Sequence, residues 1–147
     1  MLNKEKLPYD LREKIGYIPQ KAFLFSGTVQ DNLIMGKKDA SLQEMQHALE
    51  IAQAKTFIDI LPEKLLTLVS QGGTNFSGGQ KARLSIAREL MGDKPILIMD
   101  ESTANLDKQT AIQIEQNILS NPTLTVIMIT HHLYDESRDL LDQIIQL

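Results

Sequence analysis

The sequence predicts an α/β fold built on parallel strands, with a smaller helical lobe. Three observations predict it. The run Ile96-Leu97-Ile98-Met99 is apolar at every position and meets two acids, Asp100-Glu101; a strand of that texture is expected to be buried on both faces, as in parallel sheets. A helical stretch after Asp107 and a second apolar strand, Thr123 to Thr130, complete a strand, helix, strand unit, which crosses over right-handed into a parallel pair. Residues 28 to 66 carry helix-start signals and apolar spacings of three and four instead.

The composition is that of one ordinary folded unit. A chain of 147 residues with 42% hydrophobic and 23% charged residues is long enough for a single core and shows no bias toward disorder. A net charge of −4 and the lack of any basic run argue against a nucleic-acid partner. With no cysteine, disulfide scaffolds, thiolate zinc sites and thiol nucleophiles are excluded. Its apolar runs are far shorter than the roughly 20 residues that cross a bilayer, and Met1 to Asp10 lacks the apolar stretch of a secretory signal. A membrane span and export are therefore not expected.

Taken in order, Ile15 to Pro19 reads as a strand, with Gln20 opening a loop. Thr28 with Asp31 forms a capping box for a short helix ending at Gly36, and Ser41 with Glu44 forms another. Behind Ser41, Leu42, Met45, Leu49 and Ala52 make the stripe of an amphipathic helix. A further helix is expected from Lys55 to Leu61, before Pro62. The glycine-rich turn from Gly72 to Gly79 opens a helix from about Gln80 to Met91, punctuated by Gly92 and Pro95. Asp107 is placed to cap a helix whose Ala111, Ile114 and Ile118 face inward, and Asn121-Pro122 breaks it. A short helix over Leu133 to Leu141 and a last strand, Ile144 to Leu147, complete the reading. Met35, Met45 and Met91 read as packing residues; Arg83 and Arg88 read as solvated or paired with acids.

Ligands of open parallel sheets sit at the carboxyl ends of the strands. Two such ends carry polar residues here, Asp100-Glu101 and Thr130-His131-His132. Asp100 is suited to hold Mg²⁺, a hard cation that takes oxygen ligands, and Glu101 to polarise an attacking water. Ser77-Gly78-Gly79 at a helix start offers a hydroxyl, open backbone N–H groups and the positive end of the helix dipole, which suit phosphate oxygens. His131 is able to donate to a phosphate oxygen.

Read in order, Tyr17-Ile18-Pro19-Gln20, Asn75-Phe76-Ser77-Gly78-Gly79-Gln80, Ile96 to Glu101, Ser102 to Asp107 and Ile129-Thr130-His131 resemble the nucleotide-binding domain of ATP-binding cassette (ABC) transporters. In that family's terms they are similar to the Q-loop, signature motif, Walker B strand, D-loop and switch histidine. The stretch Lys21 to Thr28 is similar to the exporter branch in particular. The resemblance implies a P-loop NTPase-like (ABC ATPase) three-layer core of parallel strands plus a small α-helical subdomain. It implies a Q-loop strand and loop in 1–27, the helical subdomain in 28–70, the signature and its helix in 71–92, and the Walker B, D-loop and switch-histidine part in 93–147.

The resemblance also implies roles. Glu101, His131 and Gln20 would be catalytic, Asp100 and Gln20 would hold Mg²⁺, and Ser77, Gly78, Gly79, Gln80 and Asp107 would bind ATP across a dimer. The implied partners are a transmembrane domain and a second nucleotide-binding domain, at the cytoplasmic face of the cell membrane. Phe76 stands where the family most often has Leu, and His132 where it commonly has Arg, so His132 is assigned no role.

A P-loop, Gly-x-x-x-x-Gly-Lys-Ser/Thr, is missing; the nearest spacing, Gly73 to Gly78, continues into Gly79-Gln80. By resemblance the chain therefore lacks the first core strands and the extreme C-terminal part, and on its own is expected to bind ATP poorly. Two alternatives compete with a transport ATPase. One is a non-catalytic fragment or interaction module, which the intact Glu101 and His131 weaken. The other is a chromosome-maintenance ATPase, against which stands the short interval between Gln20 and Ser77.

Overall fold

In the computed structural model, residues 9–146 are described. Their order is α1 (Tyr9–Lys14), β1 (Ile15–Ile18), the short β2 (Gly27–Thr28), α2 (Val29–Ile34), α3 (Leu42–Ile51), α4 (Lys55–Asp59), the short β3 (Leu68–Val69), α5 (Gly78–Leu90), β4 (Ile96–Asp100), α6 (Lys108–Leu119), β5 (Thr125–Ile129) and α7 (Asp135–Arg138).

Local chemistry sets the helix starts. Thr28, Ser41 and Ser77 each accept the backbone N–H three residues on, while Asp31, Glu44 and Gln80 return the bond to the cap's own N–H. Each box satisfies two of the donors that a helix start otherwise leaves unpaired. Asp107 caps α6 through the Thr110 N–H. Gly72 and Gly73 both sit at positive φ, which side chains resist, so the turn before α5 needs glycine at both positions.

The sheet is parallel, in the order β1-β4-β5, with Ile18 opposite Met99 and Asp100 opposite Ile129. Alternate residues of β1 and β4, namely Gly16, Ile18, Leu97 and Met99, are buried on one face. Ile18, Leu97 and Met99 join a core with Leu84, Ile86 and Ala87 of α5 and Ile114 and Ile118 of α6. Burying each such aliphatic side chain contributes about 1.5–3 kcal/mol. Met45, Leu49 and Phe57 extend the same core into α3 and α4. A two-residue antiparallel ladder, Gly27 and Thr28 against Val69 and Leu68, closes the base of this helical part.

Several expectations are corrected. β4 is buried on one face only, because Ile96 and Ile98 share a half-open face with the exposed Tyr17, Ile127 and Ile129. Residues 144–146 form no strand, since no neighbouring strand reaches them among the described residues, and Leu147 lies outside those residues. The helix expected over Leu133 to Leu141 is the four-residue α7. Leu42, expected on the inward stripe of α3, is exposed. Arg83 donates to the Gln53 carbonyl and lies over the Phe57 ring. Arg88 donates to the Phe23 carbonyl and sits 3.7 Å from Glu89. Arg88 is thus paired with an acid, as expected, whereas Arg83 is a partly buried tether to a carbonyl and a ring; desolvation lowers both pKa values.

Candidate active site

The three parallel strands deliver their polar ends to one place. Beyond the Asp100–Ile129 pair, the Glu101 N–H donates to the Ile129 carbonyl at 2.8 Å, so the ladder runs one bond further before the chains part. Glu101 then turns at φ +48°, a left-handed conformation that costs a non-glycine residue roughly 1–2 kcal/mol. Such a residue persists when its surroundings over-determine it.

Its carboxylate is held from two sides. Gln20, just past the end of β1, donates its Nε2 to Oε2 at 2.8 Å, and the His131 Nε2 lies 2.8 Å from Oε1. With the amide nitrogen donating to Glu101, the Gln20 amide oxygen accepts no hydrogen bond among the described residues. The Glu101 side chain is 19% exposed whereas that of His131 is 91% exposed, so the histidine reaches over the carboxylate from solvent. Tyr17, which faces the open side of the sheet, donates its hydroxyl to Asp100 Oδ2 at 2.9 Å. That hydrogen bond, then burial and the nearby negative charge, raise the Tyr17 pKa above that of a free phenol. Tyr17 was not singled out from the sequence; an aromatic in an edge-facing strand position gives no local sign of a partner 83 residues away.

The glycine-rich segment and Asp107 form a second group. Ser77 and Gln80 are engaged with each other in the capping box of α5, and the Gly78 Cα opens on free space. A side chain added at Gly79 would touch Leu106 and approach the Asn105 carbonyl, so the start of α5 lies against the loop that ends in Asp107. Hydrogen bonds from Thr110 hold the Asp107 carboxyl below the usual range, with the Arg83 guanidinium adding to the effect. Among the described residues no hydrogen bond joins this group to Gln20, Glu101 or His131. Two cavities, of about 290 and 450 Å³, lie away from both groups, one lined by Phe25, Met35 and Arg88, the other by Glu50, Lys55 and Ile60.

The donor set fits a hydrated Mg²⁺. The Asp100 carboxylate and the Gln20 amide are hard oxygen donors at the carboxyl ends of the adjacent strands β4 and β1, and this ion keeps waters and takes few protein oxygens. The backbone N–H groups of Gly78 and Gly79 at the start of the thirteen-residue α5 fit phosphate oxygens.

A family model described as ABC transporter matches residues 2–104. The chain belongs to the ABC transporter family. It is 40% identical over 126 residues to the mesentericin-Y105 transport/processing ATP-binding protein MesD of Leuconostoc mesenteroides, which covers 85% of this chain and 17% of that protein. It is 43% identical over 131 residues to YheI of Bacillus subtilis, a probable multidrug resistance ABC transporter ATP-binding/permease protein, covering 88% of this chain and 22% of that one. The chain thus spans about a fifth of the length of the curated relatives it matches. A solved bacterial Atm1-family ABC exporter with ATP bound superposes with a TM-score of 0.79 at 36% identity, over 83% of this chain and 22% of that structure. The α/β architecture expected from the sequence is therefore that of an ABC exporter's ATP-binding part.

Proposed function

We propose that this chain forms part of the ATP-hydrolysing motor of an ABC exporter. The observation that carries the proposal is the meeting of Gln20, Glu101 and His131 at the carboxyl ends of neighbouring parallel strands, Gln20 hydrogen-bonded to Glu101 and the His131 Nε2 2.8 Å from it, in a chain of this family. Glu101 is the base. Its carboxylate accepts the proton of a water that attacks the γ-phosphorus of ATP in line, the bond from that phosphorus to the bridging oxygen breaks, and ADP leaves. His131 and Gln20 flank the carboxylate, and the exposure of the His131 ring supports its turning to donate to the γ-phosphate once nucleotide is bound. Asp100, with the Gln20 oxygen, would hold Mg²⁺, which would supply charge neutralisation at the phosphates.

The second group serves a different nucleotide. Ser77, Gly78, Gly79 and Gln80, with Asp107, make no hydrogen bond to the Glu101 cluster, which supports their acting on ATP held by a partner nucleotide-binding domain. A transmembrane domain is the other partner, and the motor works at the cytoplasmic face of the cell membrane. The segments 1–27, 28–70, 71–92 and 93–147 then carry the Q-loop, the helical subdomain, the signature and the Walker B to switch-histidine part. Measuring phosphate release by the complete transporter in vesicles tests this. Release is expected to require Mg²⁺ and to collapse in Asp100→Asn, with substrate movement falling in parallel; hydrolysis indifferent to Asp100 would overturn the reading.

A further inference from the structure

Glu115 is a buried acid that the proposed reaction does not use. It lies on α6 beside Ala111, Ile114 and Ile118, in the stripe that faces the core, and is 1% exposed. A carboxylate in such a place needs a donor for each oxygen. Glu115 has both. Oε1 accepts the Thr103 hydroxyl at 2.7 Å, and Oε2 accepts the Ser137 hydroxyl at 2.6 Å.

Those two hydroxyls belong to the two segments that carry the cluster. Thr103 stands two residues past Glu101, in a turn where the Ala104 N–H donates to the Glu101 carbonyl and the Leu106 N–H to that of Thr103. Ser137 is fully buried in α7, which follows His131. The ladder between β4 and β5 ends at the Glu101 N–H, so it does not itself restrain what lies beyond. Past that point one side chain grips both segments. The strained Glu101 backbone, at φ +48°, is what such a grip over-determines.

We propose that Glu115 is a positioning residue: through Thr103 and Ser137 it keeps Glu101 and His131 within hydrogen-bond reach of each other, and so sets the turnover rate without touching nucleotide. This rests on the reading of Glu101 as the base.

The test uses the complete transporter, with ATP turnover, KM and the melting temperature measured for Glu115→Leu, Glu115→Gln and Glu101→Gln. Leucine fills the space and removes the grip. Its turnover is expected to fall about tenfold to a hundredfold, the scale of a misplacement of about 1 Å, with KM unchanged. Its melting temperature is expected to fall, because the buried Thr103 and Ser137 hydroxyls lose their acceptor, so turnover is compared per folded molecule. Glutamine is expected to keep most of the turnover, since its amide accepts from one hydroxyl and donates to the other. A merely structural residue would move melting temperature and leave turnover per folded molecule alone. Wild-type turnover in Glu115→Leu overturns the proposal. Should that variant not fold, Ser137→Ala decides: the same loss of turnover at unchanged KM supports it, and full turnover overturns it. If Glu101→Gln loses activity while Glu115→Leu keeps it, only the role of Glu115 falls. If Glu101→Gln keeps activity, the reading of Glu101 falls and this one with it.

Discussion

The Nε2 atom of His131 lies 2.8 Å from Oε1 of Glu101, across the ends of two adjacent parallel strands. Because the ring is 91% exposed, little packing depends on it. His131→Ala should leave stability within about 0.5 kcal/mol while removing one of two restraints on the carboxylate. ATP turnover by the complete transporter is expected to drop on the order of tenfold or more. Parallel thermal melts and phosphate-release assays check the pair of outcomes; a variant that loses stability and activity together would point to a packing role instead.

Backbone strain at Glu101 gives a second expectation. At φ +48° any side chain is penalised, and glycine is not. Glu101→Gly and Glu101→Ala both delete the carboxylate and both should be inactive, yet the glycine variant should be the more stable by about 1 kcal/mol. Urea unfolding of the two variants measures that difference, and equal stabilities would show that the turn relaxes when the carboxylate is lost.

Two capping serines separate stability from function. Ser41 and Ser77 make the same kind of capping box, on α3 and α5. Replacing either with alanine should cost about 1 kcal/mol of stability. Only Ser77→Ala should also impair hydrolysis, since the α5 start is proposed to face the partner's nucleotide. Matched losses of turnover in both variants would argue that Ser77 is a cap and nothing more.

Acid sensitivity follows from Glu44. The bond from Lys37, with those from Ser41, holds its carboxyl down at about 2, from an ordinary value of 4.5. A group lowered on folding stabilises fully above its unfolded value, and that contribution is lost as pH falls through the folded one. Asp31 and Asp107, lowered by hydrogen bonds from Thr28 and Thr110, act in the same direction below their ordinary 3.8. Urea midpoints should therefore fall steadily from pH 4.5 toward pH 2, less steeply in Glu44→Gln; superimposable slopes would contradict the assignment.

Much of this was legible from short-range chemistry. The capping boxes at Thr28 and Ser41 and the cap at Asp107 stand within three residues of what they satisfy, so spacing alone finds them; the box of Ser77 with Gln80 has the same spacing but went unread beside the glycines. Ala111, Ile114 and Ile118 were likewise visible as a stripe, and all three are buried. A two-residue ladder such as Gly27–Thr28 with Leu68–Val69 has no periodicity to read. Burial of β4 on both faces was misjudged because apolar character records what a strand tolerates, not what covers it. The ties among Gln20, Glu101 and His131 span 81 and 30 positions, beyond any local signal. For Glu115 a sign did exist: an acid set within an inward stripe, which asks for buried donors.

The most direct measurement is the rate of ATP turnover at saturating Mg²⁺-ATP in the complete transporter, wild type against Glu101→Gln. Turnover should fall on the order of a hundredfold or more while nucleotide still binds, because the amide keeps the shape and hydrogen-bonding reach of the carboxylate but takes no proton. Turnover near the wild-type rate would show that the base lies elsewhere.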